Sequence, residues 1–155
     1  MSRRTGLPVL VAMLLLQACP SAYQRTYDRE MQQLQQQATE QHAAASRYAA
    51  VVYFDVGSAV VDGNGRQEIT WFVQQMQPYS QAVLLVQGFA DTTGSEGKNQ
   101  SLSEDRARAV AAVLTSSGIA SSRLIVQGYG TTSAADSNAT SKGRGRNRRV
   151  EITVR

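Results

Sequence analysis

Apolar and polar positions divide the chain into three stretches. Leu7 to Leu16 form a short, nearly continuous apolar run, and residues 24–45 are polar and rich in Gln, Ala and Glu. From about residue 49 onward, strand-like and helix-like patterns alternate. Val51-Val52-Tyr53-Phe54 is β-branched and aromatic and predicts a strand. Ile69, Phe72, Val73 and Met76 recur at helical spacing, which predicts an amphipathic helix from Asn64 to Gln77, stopped by Pro78. Ala82 to Phe89 is apolar enough to predict a second strand buried on both faces. A second helix is expected from Asn99 to Ser117, ending at Gly118. Leu124-Ile125-Val126 opens a third strand, which Gly128-Tyr129-Gly130 closes. Thr131 to Gly145 is small, polar and glycine-rich and is expected to be a loop. Val150 to Val154 alternates and predicts a last strand with one exposed face. The order βαβαββ predicts an α/β (α+β) fold, a mixed sheet with its helices packed on one face.

Before this domain, residues 24–45 contain no Gly or Pro and favour helix. Tyr27, Met31, Leu34, Ala38, Gln41, Ala45 and Tyr48 follow a 4-3-4-3 spacing, but Gln41 interrupts the seam. A helical or extended spacer, about 40 Å long if fully helical, is therefore preferred to a coiled coil. His42 has no second His or Cys nearby, so no metal site is expected there.

The apolar run at the N-terminus is too short to span a bilayer, which needs about 20 apolar residues. With Arg3 and Arg4 ahead of it, it reads as a signal peptide. It ends in Leu16-Gln17-Ala18-Cys19, similar to the lipobox of bacterial lipoproteins, where the cysteine is acylated and becomes the new N-terminus. Cys19 is the one cysteine of the chain, so no internal disulfide can form. The expected organisation is a signal peptide over residues 1–18, a lipidated stalk over 19–48 and a globular domain over 49–155. No Asp follows Cys19 to retain the protein at the inner membrane, and a lipid-anchored, periplasm-facing place in the outer membrane is expected. Cleavage removes Arg3 and Arg4 and leaves 14 basic against 12 acidic side chains, a weak charge footprint for a nucleic-acid binder.

One residue breaks the pattern of the second long helix. Its apolar stripe runs through Leu102, Ala109, Val110 and Val113, and Arg106 falls in the middle of it. A cation on a buried face is costly unless it meets a carboxylate or an anionic ligand. Asp91, in the glycine-rich turn after the second strand, is the nearest candidate in chain topology. Ser101 and Glu104 have capping-box spacing, and Asn99 is an alternative cap. An arginine fork and a helix start for a carboxylate, beside an aspartate for an ammonium, describe a receptor for a zwitterion. An internal Asp91–Arg106 salt bridge that orders the loop is an equal alternative at this point.

Gly88-Phe89-Ala90-Asp91-Thr92-Thr93-Gly94, followed by Asn99-x-x-Leu102-Ser103-x-x-Arg106-Ala107, resembles the OmpA-like C-terminal domain family, which includes Pal-like peptidoglycan-associated lipoproteins. Tyr53-Phe54-Asp55 with Ser58-Ala59, Gly128-Tyr129-Gly130 and Asn147-Arg148-Arg149-Val150-Glu151 extend the resemblance over nearly all of residues 51–155. The resemblance implies non-covalent binding of peptidoglycan through the diaminopimelate of its stem peptide. By position, Asp91 takes the ammonium and Arg106 the carboxylate. Asn99, Leu102 and the backbone from Thr92 to Gly94 shape the pocket, which Asn147 and Arg148 close. Ala90 and Phe89 depart from the family's usual Thr and His or Tyr, altering the wall beside the aspartate.

Other functions have less support in the sequence. The sole histidine lies in the stalk, so the domain offers no Ser-His or Cys-His pair, and neither catalysis nor a cofactor is expected. Lys142, Arg144, Arg146, Arg148 and Arg149 could form an anion-binding patch, yet the surrounding glycines and the family signature favour a solvated loop. The stronger rival is a protein-interaction module docking to a Tol-type or secretion-machine partner.

Overall fold

The computed structural model describes residues 22–155. The expected signal segment and Cys19 lie outside the described residues. The expected stalk is helical: α1 spans Ala22–Ala45, with Tyr23, Tyr27, Met31 and Leu34 exposed along it. Residues 41–155 form a compact unit of their own. Its elements are β1 (Ala50–Tyr53), α2 (Gly63–Met76), β2 (Leu84–Gly88), α3 (Glu96–Ser116), a 3-10 turn, β3 (Leu124–Gly128), α4 (Ser141–Asn147) and β4 (Arg149–Val154).

The four strands lie in the order β1-β4-β2-β3. The last strand in the chain is thus an inner one, antiparallel to both β1 and β2, while β2 and β3 run parallel with α3 as their crossover. The register sets Val52 against Val150 and Val86 against Ile152, so these side chains share one face. That face receives Ile69, Phe72 and Met76 from α2 and Ala107, Val110 and Leu114 from α3, all fully or almost fully buried. Each apolar stripe expected from the spacing thus meets the apolar half of an alternating strand. The helices cover only this face. Leu85 and Gln87 on the other face of β2 remain half-exposed, so the second strand is not buried on both sides as its continuous apolar character suggested.

Two boundaries differ from expectation. Helix α3 begins at Glu96, with Ser95 as an N-cap that makes no side-chain cap bond, so Ser101 and Glu104 form no capping box. The stretch expected to be a loop up to Gly145 contains the start of α4, which Thr140 caps through its hydroxyl to the Gly143 N–H at 3.0 Å.

Candidate functional site

The site forms where β2 ends and α3 crosses it. Gly88 is the reason the two approach so closely, because a β-carbon there would overlap the carbonyl of Ser103 on α3. Beyond it, the Phe89 N–H donates to Arg149 O and the Ala90 N–H to Gly130 O, which extends the pairing past the strand's end. The chain then turns at Asp91, whose Oδ1 accepts the Thr93 N–H at 2.9 Å, and Gly94 takes a φ of 94° that side-chain-bearing residues rarely adopt.

Arg106 sits one turn along α3 from Ser103 and is 0 % exposed, the largest of the fully buried side chains. Its guanidinium is held by three backbone carbonyls: Nε donates to Ser58 at 2.8 Å, and the terminal nitrogens donate to Phe89 and Asp55, each at 3.1 Å. The ring of Phe54 lies 5.3 Å below it. Burial and, to a lesser degree, the nearby Arg148 charge lower its pKa and Asp91 opposes both; the result, about 10, leaves it cationic at neutral pH.

Asp91 does not bridge to Arg106. Its Oδ2 accepts from Arg148 at 2.9 Å, with the two side chains 6 % and 16 % exposed. Arg106 has its fork committed to carbonyls, whereas Arg148, at the end of α4, is steered to the aspartate by its own Nε bond to Phe54 O at 3.0 Å. Burial alone would push the Asp91 carboxyl up, but the Arg148 guanidinium and the Thr93 N–H together hold it below its ordinary value.

Asp91, Arg106, Arg148, Asn99 and Leu102 come together around one small cleft of about 120 Å³. Thr93, Val56, Gly57 and Ala90 complete its wall; sequence reasoning gave no role to Val56 or Gly57. Thr92 and Gly94 do not line it. The Thr92 N–H is bound instead by Asn138 Oδ1 at 3.2 Å. Asn147 is fully buried and away from the cleft: its Oδ1 accepts from Ala135 and Asp136 N–H, and its Nδ2 donates to Asp136 O and Asn138 Oδ1. It therefore reaches the Asp91 turn only through Asn138, a residue the sequence gave no reason to single out. Phe89 contributes its carbonyl to Arg106, but its ring is stacked between the Arg149 guanidinium at 4.0 Å and Tyr129 at 5.5 Å. The ring is not part of the cleft wall, so of the two family departures only Ala90 touches the cleft. A larger depression of about 530 Å³ lies along β3 and α3 near Glu104 and Arg108, but none of the expected site residues line it.

The arginines of the basic segment are each engaged: Arg144 with Asn138 O, Arg146 with Asp136, Arg148 with Asp91, and Arg149 with Glu151. Lys142, the remaining cation of the segment, is exposed. The cleft itself sets one carboxylate against two guanidiniums in a largely desolvated space. It can receive a small group carrying both an ammonium and a carboxylate.

The OmpA family profile matches residues 53–148. The probable lipoprotein YiaD of Escherichia coli is 37 % identical over 103 residues, covering 66 % of this chain and 47 % of that protein. The peptidoglycan-binding protein ArfA of Mycobacterium tuberculosis is 45 % identical over 73 residues, covering 47 % of this chain and 22 % of that protein. The chain thus spans about half, or less, of the length of these relatives. Among solved structures, the peptidoglycan-associated lipoprotein from Burkholderia pseudomallei superimposes with a TM-score of 0.65 at 24 % identity, covering 68 % of this chain and 90 % of that one, and shares the fold.

Proposed function

The chain belongs to the OmpA family, and on that premise we propose that it binds peptidoglycan non-covalently and tethers a membrane to the cell wall. The ligand group is the free α-amino-acid end of diaminopimelate in the stem peptide. The observation that carries this reading is the cleft in which Asp91 faces both Arg106 and Arg148. Asp91 receives the ammonium. Arg106 supplies fixed positive charge and those N–H groups not spent on the three carbonyls, Arg148 supplies the mobile part of the carboxylate site, and Asn99 and Leu102 shape its floor. Thr92, Gly94 and Asn147 act from outside the cleft by holding the turn. In the proposed organisation, residues 1–18 are removed, lipid on Cys19 anchors the stalk in the outer membrane, and the domain faces the periplasm. The relatives' names support wall binding; catalysis forms no part of this reading.

The test is co-sedimentation of the detergent-solubilised full chain with diaminopimelate-type sacculi. Wild type is expected in the pellet and Asp91→Asn, which keeps the shape and removes the charge, in the supernatant. If folded Asp91→Asn pellets like wild type, the cleft is not the wall-binding site. If wild type itself stays in the supernatant, docking to an envelope protein is the better reading.

A further inference from the structure

We propose that Arg148 restricts the cleft to zwitterions, occupying the ammonium's place on Asp91 until a ligand brings a carboxylate to take over its charge. The inference rests on the reading of the cleft given above and adds a residue that decides which ligands it accepts.

Both oxygens of Asp91 are in use, Oδ1 by the Thr93 N–H and Oδ2 by Arg148. The Asp91–Arg148 pair is nearly buried. Separating it and leaving either charge bare in such a place is strongly unfavourable. A ligand that carries only an ammonium exchanges one cation for another on Asp91 and leaves Arg148, in place of a nearly buried carboxylate, only the exposed carboxylates of Asp55 and Asp62. A ligand that carries only a carboxylate meets an Arg148 already neutralised and an Asp91 that repels it, and is drawn only by Arg106, whose fork is already spent on carbonyls. A group with both charges re-pairs everything at once: its ammonium replaces Arg148 on Asp91, and its carboxylate receives the released guanidinium.

Arg148 is held less firmly than Arg106. One backbone carbonyl, Phe54 O at 3.0 Å, receives its Nε, and because the guanidinium is a rigid plane the whole group turns about the side-chain bonds when it leaves Asp91. The same side chain also lines a second hollow of about 210 Å³, together with Asp55 and Asp62, which leaves it space to shift. Arg106 cannot play this part, because three carbonyls fix its fork.

The inference predicts discrimination between two wall peptides that differ by one carboxylate. Titration calorimetry on the full chain would compare a soluble stem tripeptide with diaminopimelate at its third position against the same tripeptide with lysine there. Wild type is expected to bind the lysine peptide about tenfold or more weakly. In Arg148→Gln the ratio is expected to fall to about threefold or less, with the lysine peptide gaining affinity because Asp91 is unmasked. An unchanged ratio in folded Arg148→Gln overturns the inference and leaves the wall-binding reading standing. If that variant fails to fold, Arg148→Lys serves: it keeps a cation on Asp91 and is expected to keep the discrimination, and equal binding of both peptides overturns the inference. If wild type binds neither peptide, the reading and the inference fall together.

Discussion

Replacing Arg106 tests how much of the site is architecture and how much is ligand chemistry. Arg106→Ala removes a buried cation that donates to the carbonyls of Asp55, Ser58 and Phe89, two of them in the loop after β1 and one at the end of β2. Hydrogen bonds from a charged donor each contribute about 1.5–3 kcal/mol, and the carbonyls left behind would lie where water enters poorly. The contributions overlap because one side chain makes all three. Loss of one partner from a buried charged network, at about 3–5 kcal/mol, is therefore the better guide. Domains are commonly stable by only about 5–15 kcal/mol, so the variant should be close to the edge of folding. Urea denaturation of wild type, Arg106→Ala and Arg106→Met, followed by far-ultraviolet circular dichroism, measures this. The methionine variant fills most of the volume and isolates the lost hydrogen bonds. Both variants are expected to unfold at markedly lower urea, with Asp91→Asn affected less. If Arg106→Ala costs under about 1 kcal/mol, well below the range for such a network, the three carbonyl contacts do not hold the loop and the structural account of this arginine is wrong. Loss of wall binding in an Arg106 variant is accordingly informative only beside its stability, which is why Asp91→Asn is the cleaner test.

Two further outcomes follow from the same residues and from the anchor. The Asp91 carboxyl is held below its ordinary value in the folded chain, so its contribution to stability is fully present above the unfolded carboxylate range near pH 4 and is lost as pH falls through the lower folded value. Urea midpoints measured from about pH 6 down to about pH 2 should therefore fall less steeply for Asp91→Asn than for wild type; parallel curves would show that the carboxylate is not stabilised by Arg148. Cys19→Ser is expected to move the protein from the membrane fraction to the soluble fraction on cell fractionation, and full retention in the membrane would remove the proposed lipid anchor.

Much of the site could be read along the chain because its main signal is local. Arg106 stands out by its place in an apolar stripe, and the turn at Asp91 by its glycines and its position after a buried strand. The partner of Asp91 could not be read this way. Arg148 lies 57 residues further on, among several arginines that look alike in sequence, and only the path of β4 beside β2 selects it. Helix α4 was equally hidden. Its sequence, SKGRGRN, has poor intrinsic helix propensity, and it forms around the Thr140 cap and the close seat of Gly143 against Ser137. The early start of α3 was masked by Gly97 in its first turn, while Ser101 and Glu104 offered a plausible but unused cap. What stayed illegible is what depends on tertiary neighbours: the end of a helix, the choice among equivalent cations, and the role of Asn138.

The place of β4 in the sheet bears on when this domain can fold at all. It is antiparallel to β1 on one side and β2 on the other, so until Arg149–Val154 has been synthesised the two earlier strands have no common neighbour and the core face of the sheet stays open. The β2–α3–β3 unit can pair before then, but β1 and α2 are joined to it through the sheet only when β4 bridges β1 and β2. A chain with this strand order keeps its sheet in two halves until β4 is laid between them. An unclosed sheet is easier to draw end-on through a narrow translocation pore than a closed one, and closure can be left to the far side.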